Sequence, residues 1–253
     1  MRHRFLLILL SAFLSCPVQA QEEARIQKLF QDAIQAMGGE TYLKVEDIVS
    51  EGNYFQFDRD GNSSGLIKFN DYTKLPDKSR FEIGNNKKAR DVTVFNLKTK
   101  EGWVLEGQRD TREATPAEMK DFQTSVKHSL ENILRFRWKD PANKLFYIGT
   151  GDGNEVQFEC VKLLDPENDE VSIYFDRISK LPAKITYESI DNNGIHWRHM
   201  EEYSQWHVIQ GVKTPLRMDT FRNGKKYTQQ FVVKIAYNNR LADEFFSKPV
   251  PPK

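Results

Sequence analysis

Cysteine is nearly missing from this chain: Cys16 and Cys160 are the only two. A disulfide-stapled fold is therefore excluded, and apolar burial has to hold the chain together. Cys160 shares strand parity with Val156 and Phe158, as expected of a small buried hydrophobe. Histidine is also scarce. His196 and His199 are three apart, but their segment reads as a strand, which sends them to opposite faces. His128 falls one turn from an apolar helical stripe, at a boundary position. No metal site is expected. An excess charge of one sign is lacking too, with 37 Lys+Arg against 36 Asp+Glu. That balance argues against nucleic acid as a partner and against long-range attraction to a membrane.

Catalytic and cofactor signatures are equally absent. There is no Gly-x-Ser-x-Gly elbow. Gly149-Thr150-Gly151-Asp152-Gly153 lacks the Lys-Ser/Thr of a phosphate loop and precedes a strand, so it reads as a turn. Asp58-Arg59-Asp60-Gly61-Asn62 begins like a calcium loop. Its glycine comes early, and Phe69 stands where the bidentate acid belongs, which leaves a hairpin turn. A non-enzymatic protein without a cofactor is expected.

Long apolar runs occur only at the start. Arg2 and Arg4 precede the stretch Phe5 to Leu14, and Val18-Gln19-Ala20 has the small residues of a cleavage site. Residues 1–20 thus read as a signal peptide and 21–253 as one domain. The apolar stretch is shorter than the about 20 residues needed to span a bilayer. Removal of residues 1–20 turns the net charge from +1 to −1 by taking away two basic groups. Leu14-Ser15-Cys16 offers an alternative, a lipid anchor on Cys16. A periplasmic location follows from the first reading, and a tethered form from the second.

The remaining sequence is rich in period-two alternation. Residues 170–237 form successive strands. Val171, Ile173 and Phe175 alternate with polar neighbours, as do Ala183, Ile185 and Tyr187. Tyr227, Phe231, Val233 and Ile235 are expected on one face. Asp191 to Gly194 and Asn223-Gly224 are hairpin turns. Upstream, strands are expected near Ile48 to Phe57, Leu66 to Phe69, Arg80 to Ile83, Asp91 to Asn96 and Gly102 to Glu106. Two helices interrupt this pattern. Ile26, Leu29, Phe30, Ala33 and Met37 form a stripe ended by Gly38-Gly39. Thr115-Pro116-Ala117-Glu118 is a capping box that opens a helix with the stripe Phe122, Val126, Leu130, Ile133 and Leu134. The order implies an α+β fold with the helices gathered on one face of an antiparallel sheet, which tends to curl when long and strongly twisted.

Several segments are similar to the LolA/LolB-like superfamily of periplasmic lipoprotein carriers and outer-membrane lipoprotein-sorting proteins. They include Ala36-Met37-Gly38-Gly39 with Ile48-Val49-Ser50, Leu75-Pro76 through Arg80-Phe81-Glu82, Gly102-Trp103, and Tyr174-Phe175-Asp176 with Leu181-Pro182. Tyr203, Trp206, Gly211 to Pro215, and Phe245-Phe246 with Pro249 complete the resemblance. It implies a curved antiparallel sheet forming an incomplete β-barrel with helices over its open concave side, and an acyl-chain cavity between helices and sheet. The best-known carrier has an arginine directly before the proline of its strand-turn segment, which latches the lid. Here that position is Leu75, and Arg80 lies beyond the proline, so the latch does not carry over.

The function expected is a carrier or binder of lipid or acylated lipoprotein, serving lipoprotein sorting or envelope lipid transport. Membrane-bound donor or acceptor proteins would be its other partners. The alternative is an envelope sensing or scaffolding module with a packed core and no cargo. Candidate ligand contacts are Phe122, Val126, Leu130 and Ile133 from the middle helix. From the sheet come Trp103, Phe175, Ile185, Tyr187, Phe231 and Val233.

Overall fold

Period-two alternation yields thirteen strands in one antiparallel sheet in a computed structural model, which describes residues 15–107, 110–152, 157–191 and 194–250. The first six strands are β1 (Asp47–Gln56), β2 (Ile67–Lys74), β3 (Lys78–Ile83), β4 (Asp91–Asn96), β5 (Glu101–Leu105) and β6 (Arg112–Glu113). The other seven are β7 (Lys144–Asp152), β8 (Gln157–Leu164), β9 (Glu170–Asp176), β10 (Pro182–Ile190), β11 (His196–Ile209), β12 (Val212–Arg222) and β13 (Lys225–Tyr237). Four helices accompany them: α1 (Ser15–Ala36), α2 (Glu40–Leu43), α3 (Pro116–His128) and α4 (Leu130–Arg135). The stretch Phe5 to Leu14, Gly153, Val156, Asn192 and Asn193 lie outside the described residues.

The sheet order β6-β5-β4-β3-β2-β1-β13-β12-β11-β10-β9-β8-β7 joins two meanders through β1 and β13. The sheet is curved and does not close, because β6 and β7 remain separate edges. The chain must pass from one edge to the other between β6 and β7. The segment that does so is α3 and α4, so topology alone carries these helices across the sheet.

The register separates two faces. Ile48 pairs with Tyr237 and Ile185 with Glu201, and these positions share the face that the helices cover. Phe30, Ala33, Ile133, Leu134, Val161, Ile173, Phe175 and Ile185 form its principal core, all at 1% exposure or less. Phe30 stacks on Trp138, with ring centroids 4.9 Å apart, and meets Phe175 edge-on at 5.3 Å. Helix α1 reaches this core where Met37 O accepts from Lys213 N at 2.8 Å. Gly38, at φ 123°, permits the approach, since a Cβ there would lie 2.4 Å from Gly211 O.

The outer face carries a smaller cluster of Val92, Val94, Leu105 and Phe246, with Tyr72 and Trp103 beside it. The C-terminal segment covers it. Asp243 binds Lys74 at 2.6 Å and Lys78 at 2.9 Å, and Arg80 lies over the Phe245 ring. The two lysines hold the Asp243 carboxyl down to about 2.

Four expectations are corrected. The middle helix is two helices, broken at extended Ser129, whose Oγ accepts from Asn132 N and donates to Val126 O. Serine at that point caps the second helix, so the stripe continues across a bend. Residues 149–151 belong to β7 rather than to a turn; Gly149, at φ 119°, sits at a register shift. The β13 residues do not share one face, because Val233 and Tyr227 are each left unpaired at register shifts. His128 is 2% exposed rather than a boundary residue.

Candidate functional site

Helix α3 is fastened at both ends and loosely packed between them. At its start, Thr115 Oγ1 accepts from Glu118 N at 3.2 Å, and Glu118 Oε2 accepts from Thr115 N at 2.7 Å. Arg112 donates to both Glu118 oxygens and helps hold that carboxyl down to about 2. At its end, Lys127 meets Asp165 at 2.5 Å, Glu167 at 2.9 Å and Asp169 at 3.3 Å. His128 Nε2 lies 2.7 Å from Asp169 Oδ2. The acidic turn between β8 and β9 thus complements the cationic last turn of the helix.

Between these anchors the apolar residues Met119, Phe122 and Val126 are only half-buried. Phe122 stacks on Phe95, with centroids 4.6 Å apart. Met119 lies over Gly102, where any side chain would collide with its sulfur. On the same face, the register places Tyr54, Asp71 and Phe81 on β1–β3, and His199, Glu201 and Met218 on β11 and β12. All six are half-buried as well. Burial pushes the Asp71 carboxyl up to about 6. It also raises Glu201, which accepts from Tyr203 Oη at 2.8 Å. His199 is lowered to about 4 by burial and by the charge of Arg222. Tyr187 sits between His128 and His199, with ring centroids at 4.0 and 4.6 Å.

The ten candidate residues divide four ways. Phe122, Val126 and Tyr187 belong to this partly open region. Leu130, Ile133, Phe175 and Ile185 are filled core, at most 6% exposed. Trp103 and Phe231 stand on the outer face. Trp103 alternates with Gly102 and Val104, while Phe231 pairs with Asn53 and Arg217. Val233, 64% exposed, protrudes at its bulge. His196 and His199 do take opposite faces, yet His199 is drawn into the half-buried region rather than solvated. Arg80 is on the outer face. Arg135, not Arg80, reaches the helix side, with its guanidinium 3.8 Å over the Tyr42 ring and Nε 2.8 Å from Glu131.

Sequence reasoning passed over Asp71, Glu201 and Arg222, and weighed His199 only as a metal ligand, because polar positions read as outward-facing. Their parity with Ile48, Ile185 and Tyr203 was the available signal. Two grooves of about 550 and 510 Å³ lie chiefly on the outer face, and charged groups such as Asp176, Lys184, Glu202, Lys162 and Arg198 line them.

No protein-family model matches the sequence, and no curated protein matches it either. Solved structures do match. A LolA superfamily protein of Nitrosomonas europaea superposes with a TM-score of 0.57 at 11% identity, over 88% of this chain and 97% of that one. The fold is LolA-like. A DUF1329 family protein of Desulfovibrio piger gives a TM-score of 0.58 at 12% identity, over 87% and 96% of the two chains. A putative outer membrane lipoprotein-sorting protein domain of Vibrio parahaemolyticus gives 0.54 at 9%, again over 87% and 96%. At such identities the likeness is one of fold alone.

Proposed function

We propose that this chain is a non-enzymatic carrier or binder of acyl chains, from a lipid or an acylated lipoprotein, working in the cell envelope. One observation carries the reading: the apolar stripe of α3 and most of the sheet residues facing it (Tyr54, Asp71, Phe81, His199, Glu201 and Met218) are half-buried, although the neighbouring half of that face is filled solid. Apolar surface left accessible under a fastened helix is what an acyl chain would cover, with about 0.8 kcal/mol gained per buried CH₂. The polar groups Asp71 and Glu201 on that face limit the gain, which suits a protein that must release its cargo. The LolA-like fold supports the same reading, since one of the matched structures is a putative outer membrane lipoprotein-sorting protein domain.

Export through the leader and cleavage after Ala20 fit this role. The described side chains from Gln19 to Arg25, which flank that cleavage site, are all exposed. Mass spectrometry of gently purified protein should show a co-purifying acyl species, and delipidated protein should take up labelled oleate. A clean apo species without uptake overturns the proposal. The amino-terminal residue, measured in the same spectra, separates cleavage after Ala20 from an anchor on Cys16.

A further inference from the structure

Nine arginines of the described chain face a carboxylate within 4.0 Å: Arg25, Arg80, Arg90, Arg112, Arg135, Arg137, Arg177, Arg198 and Arg217. Arg222 has no ion pair among the described residues, and unlike the exposed Arg59 and Arg240 it is half-buried. It ends β12 just before the Asn223-Gly224 hairpin, whose φ angles are 48° and 77°. Its partner across the ladder is His199, so it stands on the helix-covered face. The guanidinium lies 3.9 Å from the Tyr227 ring centroid and 5.9 Å from that of Trp197. The acid on this face of β11, Glu201, is already engaged by the Tyr203 hydroxyl.

An arginine taken partly out of water without an anion is costly, and two aromatic rings offset only part of that cost. They leave the planar fork free to receive two oxygens of one anion. The neighbouring groups link this cation to the apolar region. His199, opposite Arg222, stacks on Tyr187, which stacks on His128 at the end of α3. From there the stripe runs back through Val126 to Phe122. The arrangement has a charged end and an oily length, complementary to an amphiphile.

We infer that the ligand carries an anionic head group, carboxylate or phosphate, held by Arg222, with its acyl chain along the Val126–Phe122 stripe of α3. This rests on the carrier reading and adds the class of head group. The test compares oleate, oleoyl lysophosphatidic acid and uncharged methyl oleate on delipidated protein, by displacement of a fluorescent fatty acid. At least one anion should bind about tenfold or more tighter than the ester, the range of a charge-assisted hydrogen bond. Arg222→Met should abolish that preference and leave methyl oleate within about twofold, while Arg222→Lys keeps part of it. Preference for oleate alone assigns a carboxylate, and preference for the lysophosphatidic acid alone a phosphate. Equal binding of ester and anions by the wild type overturns the inference and leaves the carrier reading intact. So does a preference that survives in Arg222→Met. Binding of none of the three probes overturns both.

Discussion

The helix-covered face is built in two ways. Under α1 and α4, strands β8 to β10 present Val161, Leu163, Ile173, Phe175 and Ile185, all at 1% exposure or less. Beside it, near α3, the same face presents Tyr54, Asp71, His199, Glu201 and Met218, all half-buried. Both halves belong to one continuous sheet and one hydrogen-bonded ladder. The difference lies in side-chain chemistry and in what each helix supplies. Helix α1 brings the fully buried Phe30 and Ala33, with Met37 just past its end, whereas α3 brings a narrow stripe on a segment held by its ends. Stability and function can therefore be assigned to different halves of one surface.

The sharpest way to separate them is to damage the packed half. Phe30→Ala removes a 0% exposed ring that touches Trp138 and Phe175. The expected loss is about 3–5 kcal/mol, since neighbours fixed in the sheet cannot collapse into the void. Urea unfolding measures it. A loss below about 1 kcal/mol would show that this half is not closely packed.

The same contrast explains what the sequence revealed. Strands under strict alternation, such as Val171-Ser172-Ile173 and Ile185 to Tyr187, are legible because an apolar face and a polar face differ residue by residue, whereas Ala183 falls at a register shift. Helix α1 is legible because its stripe is unbroken. The partly open half is opaque for a physical reason: an interior that keeps some water accepts Asp71, Glu201 and Arg222, which look like surface. Bulges add to this. One unpaired residue, Val233, displaces Phe231 to the outer face, and no composition signal announces it. Ser129 is similar: it breaks the helix while leaving the apolar spacing through Leu130 and Ile133 unchanged.

A smaller effect probes the partly open half through pH. Asp71 is raised to about 6 by burial, from an ordinary 3.8. Between those values the folded protein holds the proton and the unfolded chain does not, so stability falls as pH rises through this window. Asp71→Asn should therefore stabilise the protein at pH 7.5 by about 1–2 kcal/mol, after allowance for partial exposure. Near pH 4 the variant and the wild type should unfold alike. A gain that persists unchanged at pH 4 would mean that Asp71 is destabilising for reasons other than its charge.

The smallest expected change in stability tests the helix itself. Val126 lies on α3 and is half-buried. If its outer contacts await a ligand, Val126→Ala should cost less than about 1 kcal/mol in the apo protein. Affinity for oleate should nevertheless fall by about three- to tenfold, because the removed methyl groups would have been buried against the acyl chain. Phe30→Ala has the opposite signature, a large loss of stability at a distance from the proposed chain. Should Val126→Ala instead destabilise the apo protein as a core truncation does and leave oleate affinity unchanged, α3 would be an ordinary part of the core. The division between a packed and a partly open half would then be one of degree.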